Sequence, residues 1–179
     1  MEQIGSEDIR VKFNNNQGWY MEKVQLQLNA IKLVGIKVRT SNIAEFNPKT
    51  AKIAACFQRF FQEQLAEKIL NRVNPDVIYS VYTEYESDYT GEYSYFLGQE
   101  TATTIPEGLD SLIIPEKYIK FTTKPGSIPD IVIKSWQEIW QMSVEYLGGI
   151  RNYTADFEVY DQRSRDTKNA TVDIYIGIK

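Results

Sequence analysis

The chain has 179 residues, 42% of them hydrophobic and 25% charged, the composition of one ordinary globular domain with a substantial core. A formal net charge of -4 and the lack of any Lys/Arg cluster argue against direct nucleic-acid binding. There is no histidine and a single cysteine, Cys56, which excludes Ser-His-Asp or Cys-His catalysis, an internal disulfide and a nitrogen-ligated zinc site; no metal or cofactor is expected.

Residues 1–20 lack sustained periodicity, and their polar run from 14 to 17 offers no apolar face. Residues 1–22 therefore read as a mobile leader, with Trp19 and Tyr20 available to dock onto a domain spanning 23–179. The opening MEQIGSEDIR is acidic where a signal peptide is basic and apolar. No later apolar stretch approaches the roughly 18 residues of a membrane span, so a cytoplasmic protein without membrane association is expected.

Residues 24–40 (VQLQLNAIKLVGIKVRT) are apolar and rich in β-branched side chains, predicting one long strand, bulged near Gly35 if interrupted. After Asn47 and Pro48, a fitting cap and first turn, Ile53, Phe57, Phe60, Phe61 and Ile69 recur at helical spacing and predict a helix over about 49–71. Cys56 lies within it as a buried apolar thiol. The Tyr- and Val-rich runs at 77–87 and 92–100 flank a turn containing Gly91 and predict a hairpin. Its acidic residues Glu84, Glu86, Asp88 and Glu92 lack the ligand spacing of a calcium loop and read as a solvated turn.

A connector punctuated by Pro106, Gly108 and Pro115 follows. The same order of elements then returns: a strand at 117–123, a helix over 130–147 stopped by Gly148 and Gly149, and a closing hairpin of FEVYDQ and VDIYIGIK. Phe57 and Phe61 correspond to Trp136 and Trp140, Val81 and Tyr82 to Val159 and Tyr160, and Gly98 to Gly177, at separations of 78 or 79 residues. The expected class is α+β: a duplicated strand-helix-hairpin, β-α-β-β twice (about 24–102 and 116–179), with an antiparallel sheet, two helices on one face and a pseudo-twofold. Neither half would cover its own sheet, so a seam between them is a natural place for a cleft.

The segments LVGIKVRTSN (33–42), VYTEYESDYTGEYSYFLGQE (81–100), IPEGLDSLIIPEKYIKF (105–121), WQEIW (136–140), DFEVYD (156–161) and VDIYIGIK (172–179), in that order and spacing, resemble a GyrI-like effector-binding domain of the stand-alone kind. The same module ends AraC-type and MerR-type multidrug-responsive regulators. The resemblance implies a cleft lined by aromatic side chains around an acidic residue, here Glu158, that holds bulky, often cationic compounds for sensing or sequestration. Some relatives hydrolyse reactive cyclopropane-containing drugs, which would make Glu158 a catalytic candidate. Others act on DNA gyrase, which leaves a protein partner open. No helix-turn-helix precedes the domain, so direct transcriptional control is not expected of this chain.

Strand alternation puts Glu158 and Tyr160 on one face, and the repeat puts Ser80 and Tyr82 at the equivalent positions. A carboxylate among aromatic rings suits a lipophilic cation, which ring faces also attract. With Trp136 and Trp140, four apart on one helix side, these residues form the expected ligand site: Glu158, Tyr160, Tyr82, Trp136 and Trp140. The alternative for Glu158 is a cross-strand ion pair with Arg151, Arg163 or Lys37, or plain exposure. For the tyrosines and tryptophans it is packing.

Overall fold

The structure, a computed structural model, describes residues 21–114 and 117–179. Most of the expected leader, with Trp19 and Tyr20, lies outside the described residues, as does the turn expected at Pro115. Among the described residues no helix is long and apolar enough to cross a membrane.

The fold is mixed α+β. Eight antiparallel strands form one sheet: β1 Glu22–Gln27, β2 Ile31–Ser41, β3 Ile78–Thr83, β4 Glu92–Glu100, β5 Asp110–Ile114, β6 Lys117–Thr122, β7 Ala155–Tyr160 and β8 Asp173–Gly177, in the order β1-β6-β8-β7-β3-β4-β2-β5. This order is symmetric about the β7·β3 pair. At its centre Ser80 lies opposite Glu158, so two residues related by the 78-residue repeat face each other across the pseudo-twofold.

The expected long strand at 24–40 is two strands. Leu28, Asn29 and Ala30 interrupt it, and its two parts join different halves: β1 pairs with β6 and β2 with β4. The connector hides the counterpart, since β5 pairs with β2 but runs directly towards β6. Each half therefore has one strand more than the expected unit, and that strand is exchanged with the other half. The exchange forces the sheet to curl. β1 and β2 stand six strands apart, about 29 Å in a flat sheet, yet four residues of chain reach only about 14 Å. The curl encloses a core of Leu33, Val81, Phe96, Ile114, Tyr118 and Phe157, where Phe157 stacks on Tyr175 at 4.3 Å and meets Tyr118 edge-on at 4.9 Å.

No bulge occurs at Gly35. It pairs in register with Gly98 because the two backbones approach too closely for side chains: a Cβ on Gly35 would lie 2.0 Å from the Leu97 carbonyl oxygen, and one on Gly98 2.3 Å from that of Val34.

The helices pack on the opposite face. The long helix expected at 49–71 is shorter and divided into α2 Ile53–Gln62 and α3 Leu65–Lys68, with Gln64 between them in the left-handed region at φ 50°. Pro48 stands in a turn outside it. A one-turn helix, α1 Asn42–Glu45, supplies the cap that Asn47 was expected to give: the Glu45 carboxylate accepts from the free backbone N–H groups of Lys52 and Ile53 at 3.0 and 3.1 Å. Cys56, Phe60, Leu65 and Ile69 then pack on Val34, Ile36 and Leu97, and burial pushes the Cys56 thiol up to about 11. In the second half the helix expected over 130–147 is α4 Asp130–Trp140 and α5 Val144–Leu147, restarted by Ser143, whose hydroxyl accepts from the Tyr146 N–H at 3.2 Å. It ends at Gly148, φ 91°, where the left-handed turn favours glycine. Val132, Trp136, Ile139 and Leu147 cover Ile119, Phe121, Ile174 and Ile176.

Candidate functional site

The two helical layers do not meet over the middle of the sheet. Between them, along the β3·β7 seam, lies a cleft of about 860 Å³ whose floor is the sheet and whose walls come from α2 and α4. A volume of this size accommodates a drug-sized molecule.

Glu158 is the centre of its floor. The residue is only 1% exposed, and its carboxylate accepts three hydrogen bonds. Oε1 receives the Tyr82 hydroxyl at 2.7 Å and the Trp136 Nε1–H at 2.6 Å, and Oε2 receives the Tyr160 hydroxyl at 2.7 Å. Strand alternation puts Glu158 and Tyr160 on the same face of β7, the register brings Tyr82 diagonally opposite from β3, and Trp136 reaches down from α4. All three donors are neutral. Burial, and then the charge of Glu158, raises the Tyr82 and Tyr160 phenols well above their ordinary range, so both remain protonated donors at physiological pH.

The rings around this carboxylate are set edge to face. Tyr82 lies 5.0 Å from Trp136 and 5.4 Å from both Tyr93 and Tyr95, while Phe57 of α2 meets Tyr160 at 5.8 Å. Trp140 stacks on Tyr89 of the β3–β4 loop, with centroids 5.2 Å apart and planes 6° from parallel. The five residues singled out from sequence, Glu158, Tyr160, Tyr82, Trp136 and Trp140, thus line one cleft.

None of the cations weighed as partners of Glu158 reaches it. Lys37 pairs with Glu84 at 3.0 Å, and Arg163 with Asp161 and Asp173 at 2.8 and 2.7 Å. Arg151 pairs at 2.5 Å with Asp156, which is 0% exposed and also accepts from the Tyr85 hydroxyl and the Gly177 N–H, each at 2.8 Å. Asp156, two residues before Glu158 on the same face of β7, takes the cation that sequence offered to its neighbour. Ser80, the repeat counterpart of Glu158, donates to the Tyr95 hydroxyl at 2.8 Å. The duplicated floor therefore has a carboxylate on one side of the axis and a hydroxyl on the other.

Sequence reasoning missed Tyr85, Tyr93 and Tyr95 as cleft residues. The signal existed for Tyr93 and Tyr95, since alternation along 92–100 puts both on one face, but only the hairpin register shows that it is the face of Tyr82.

Comparison with known proteins places these features in a family. Residues 26–178 match the family described as Cass2, integron-associated effector binding protein. YobU of Bacillus subtilis (strain 168), named for transcriptional regulation, is 30% identical over 155 residues, covering 85% of this chain and 94% of its own. Among solved structures, the integron cassette protein VCH_CASS2 of Vibrio cholerae is 28% identical with a TM-score of 0.67, covering 89% of this chain and 98% of that one. SAV2435, solved bound to tetraphenylphosphonium, has a TM-score of 0.70 at 24% identity, covering 89% and 94%, a likeness of fold.

Proposed function

Because this chain belongs to the Cass2 family of integron-associated effector binding proteins, GyrI-like in fold, we propose that its cleft binds bulky lipophilic cations with Glu158 as the counter-charge. The observation that carries the reading is the Glu158 carboxylate, buried and held by three neutral donors inside aromatic walls. A carboxylate sunk this deep is costly unless its charge is used or compensated. Hydrogen bonds from phenols and an indole lower that cost but leave the net charge in place.

The geometry also bears on the kind of cation. A carboxylate offers about four acceptor sites, and three are occupied. A primary amine or guanidinium, which needs several acceptors once out of water, would be poorly satisfied here. A quaternary or delocalised cation needs none. It gains instead from the ring faces, by about 0.5 to 2 kcal/mol for each cation–π contact. Among the described charged residues lining the cleft, Glu45, Asp76, Glu158 and Asp161 are acidic and only Arg165 is basic, so the field inside also favours positive ligands. SAV2435, which shares the fold, is described as bound to a cation of this class, tetraphenylphosphonium.

The test is a pair of probes of nearly identical shape and opposite charge. Quenching of tryptophan fluorescence should give saturable binding of tetraphenylphosphonium and an affinity for tetraphenylborate weaker by about a hundredfold or more, the scale of one like-sign against one opposite-sign contact at intermediate dielectric. Equal affinities for the two would contradict the reading.

A further inference from the structure

The cleft runs along the β3·β7 seam, and both of its ends are bridged by contacts between the halves, of very different strength. At the end where Thr83 pairs with Ala155, the bridge is extensive. Thr83 donates to the Thr154 carbonyl at 2.8 Å, Tyr85 is tied to the buried Asp156, Tyr85 meets Tyr153 edge-on at 5.6 Å, and Tyr89 stacks on Trp140. Asp156 and Thr83 are buried and the rings half-buried, the contacts support one another, and breaking them means withdrawing the whole β3–β4 loop.

At the other end, where Ile78 pairs with Tyr160, Phe57 meets Tyr160 edge-on at the floor, and above it one ion pair among the described residues spans the cleft. Arg165 Nη2 donates to Asp76 Oδ1 at 2.5 Å, and both side chains line the cleft. Asp76 belongs to the turn before β3 and Arg165 to the loop after β7. Both side chains are 66% exposed, a setting in which water and salt leave an ion pair little net strength. The backbone beside each is held locally: the Asp76 N–H donates to Asn74 Oδ1 at 3.1 Å, and the Arg163 N–H to Asp161 Oδ1 at 2.8 Å. Opening this end requires two side chains to rotate and no loop to move.

We propose that the Asp76–Arg165 pair is the door of the cleft, a weak gate through which ligand passes, while the Tyr85–Asp156 and Tyr89–Trp140 end is the fixed wall. The door rests on the cation reading given above and adds a charge filter to it. When Arg165 swings into solvent, Asp76 remains at the lip to receive an incoming cation; when the pair closes, its charges cancel.

Stopped-flow measurement of tetraphenylphosphonium binding, read through tryptophan quenching, tests the door with Asp76→Asn and Arg165→Gln. Either substitution removes the latch, so each should raise both the association and dissociation rate constants, by about two- to fivefold, the scale of an exposed pair. The double variant should be no faster than the faster single one. Electrostatics alone predicts opposite signs: losing Asp76 slows a cation and losing Arg165 speeds it. A rise with Asp76→Asn, against the direction of the field, is thus the expected result, and opposite signs or unchanged rates overturn the door. A wild-type chain that gives no saturable change at equilibrium removes the cation reading together with the door, which sets that failure apart from failure of the door alone.

Discussion

At the scale of single residues, the cleft depends on phenols that keep their protons. Tyr82, Tyr95 and Tyr160 are raised well above the ordinary value of 10.0, first by burial and then by the negative charge of Glu158, and Tyr85 by burial and Asp156. Below about pH 10 the folded and unfolded chains both hold these protons, and their contribution to stability is fully present. As pH rises further, the unfolded chain releases protons that the folded one retains, so stability falls through the alkaline range. Burial raises Tyr79, Tyr93, Tyr118 and Tyr175 as well, so the main rise in phenolate absorbance should come only as circular dichroism reports unfolding. A single reversible phase with the fold intact would show the hydroxyls to be solvated. Glu158 was legible at this scale because alternation and a family resemblance point to it. Its surroundings were less so: proximity in sequence suggested Arg151 as a partner, but the buried Asp156 competes for the same cation and takes it.

At the scale of elements, punctuation was legible and partnership was not. The hairpins, the strand at β6 and the stop at Gly148 follow from turn residues and period, which act locally. The division of 24–40 into β1 and β2 depends on which distant strand each part meets, and β5 is short, lies at an edge and sits in a stretch that reads as turns. The two long helices are each broken by three-dimensional demands, a left-handed Gln64 and a capping Ser143, that hydrophobic spacing does not encode. Gly35 illustrates the difference. Its position suggests a bulge, whereas the paired Gly98 shows close backbone approach in an unbroken ladder. Gly98→Ala should therefore destabilise the protein by about 1 to 3 kcal/mol, as overpacking does, read as a lower urea midpoint with an unchanged slope. A neutral result would mean the ladder can open locally without loss.

At the scale of the whole molecule, exchange of β1 and β5 makes the two halves one body, and the curl that exchange imposes closes one face of the sheet while the helices flank a cleft along the seam on the other. Symmetry builds the cleft, and a departure from symmetry gives it chemistry: Glu158 faces Ser80 across the pseudo-twofold, so a single charge sits where a duplicated scaffold would otherwise hold two or none. Glu158→Gln is the most direct probe of this, because the amide oxygen can keep Tyr82 and Trp136 while its N–H₂ donates to Tyr160, preserving the fold and removing the charge. With tetraphenylphosphonium and tetraphenylborate titrated into both proteins, the substitution should weaken the cation by at least about tenfold and narrow the gap between the two probes, since a unit charge about 5 Å away contributes about 3 kcal/mol at an effective dielectric of about 20. Equal loss for both probes, with the gap unchanged, would mean that Glu158 holds the cleft's shape and not its ligand.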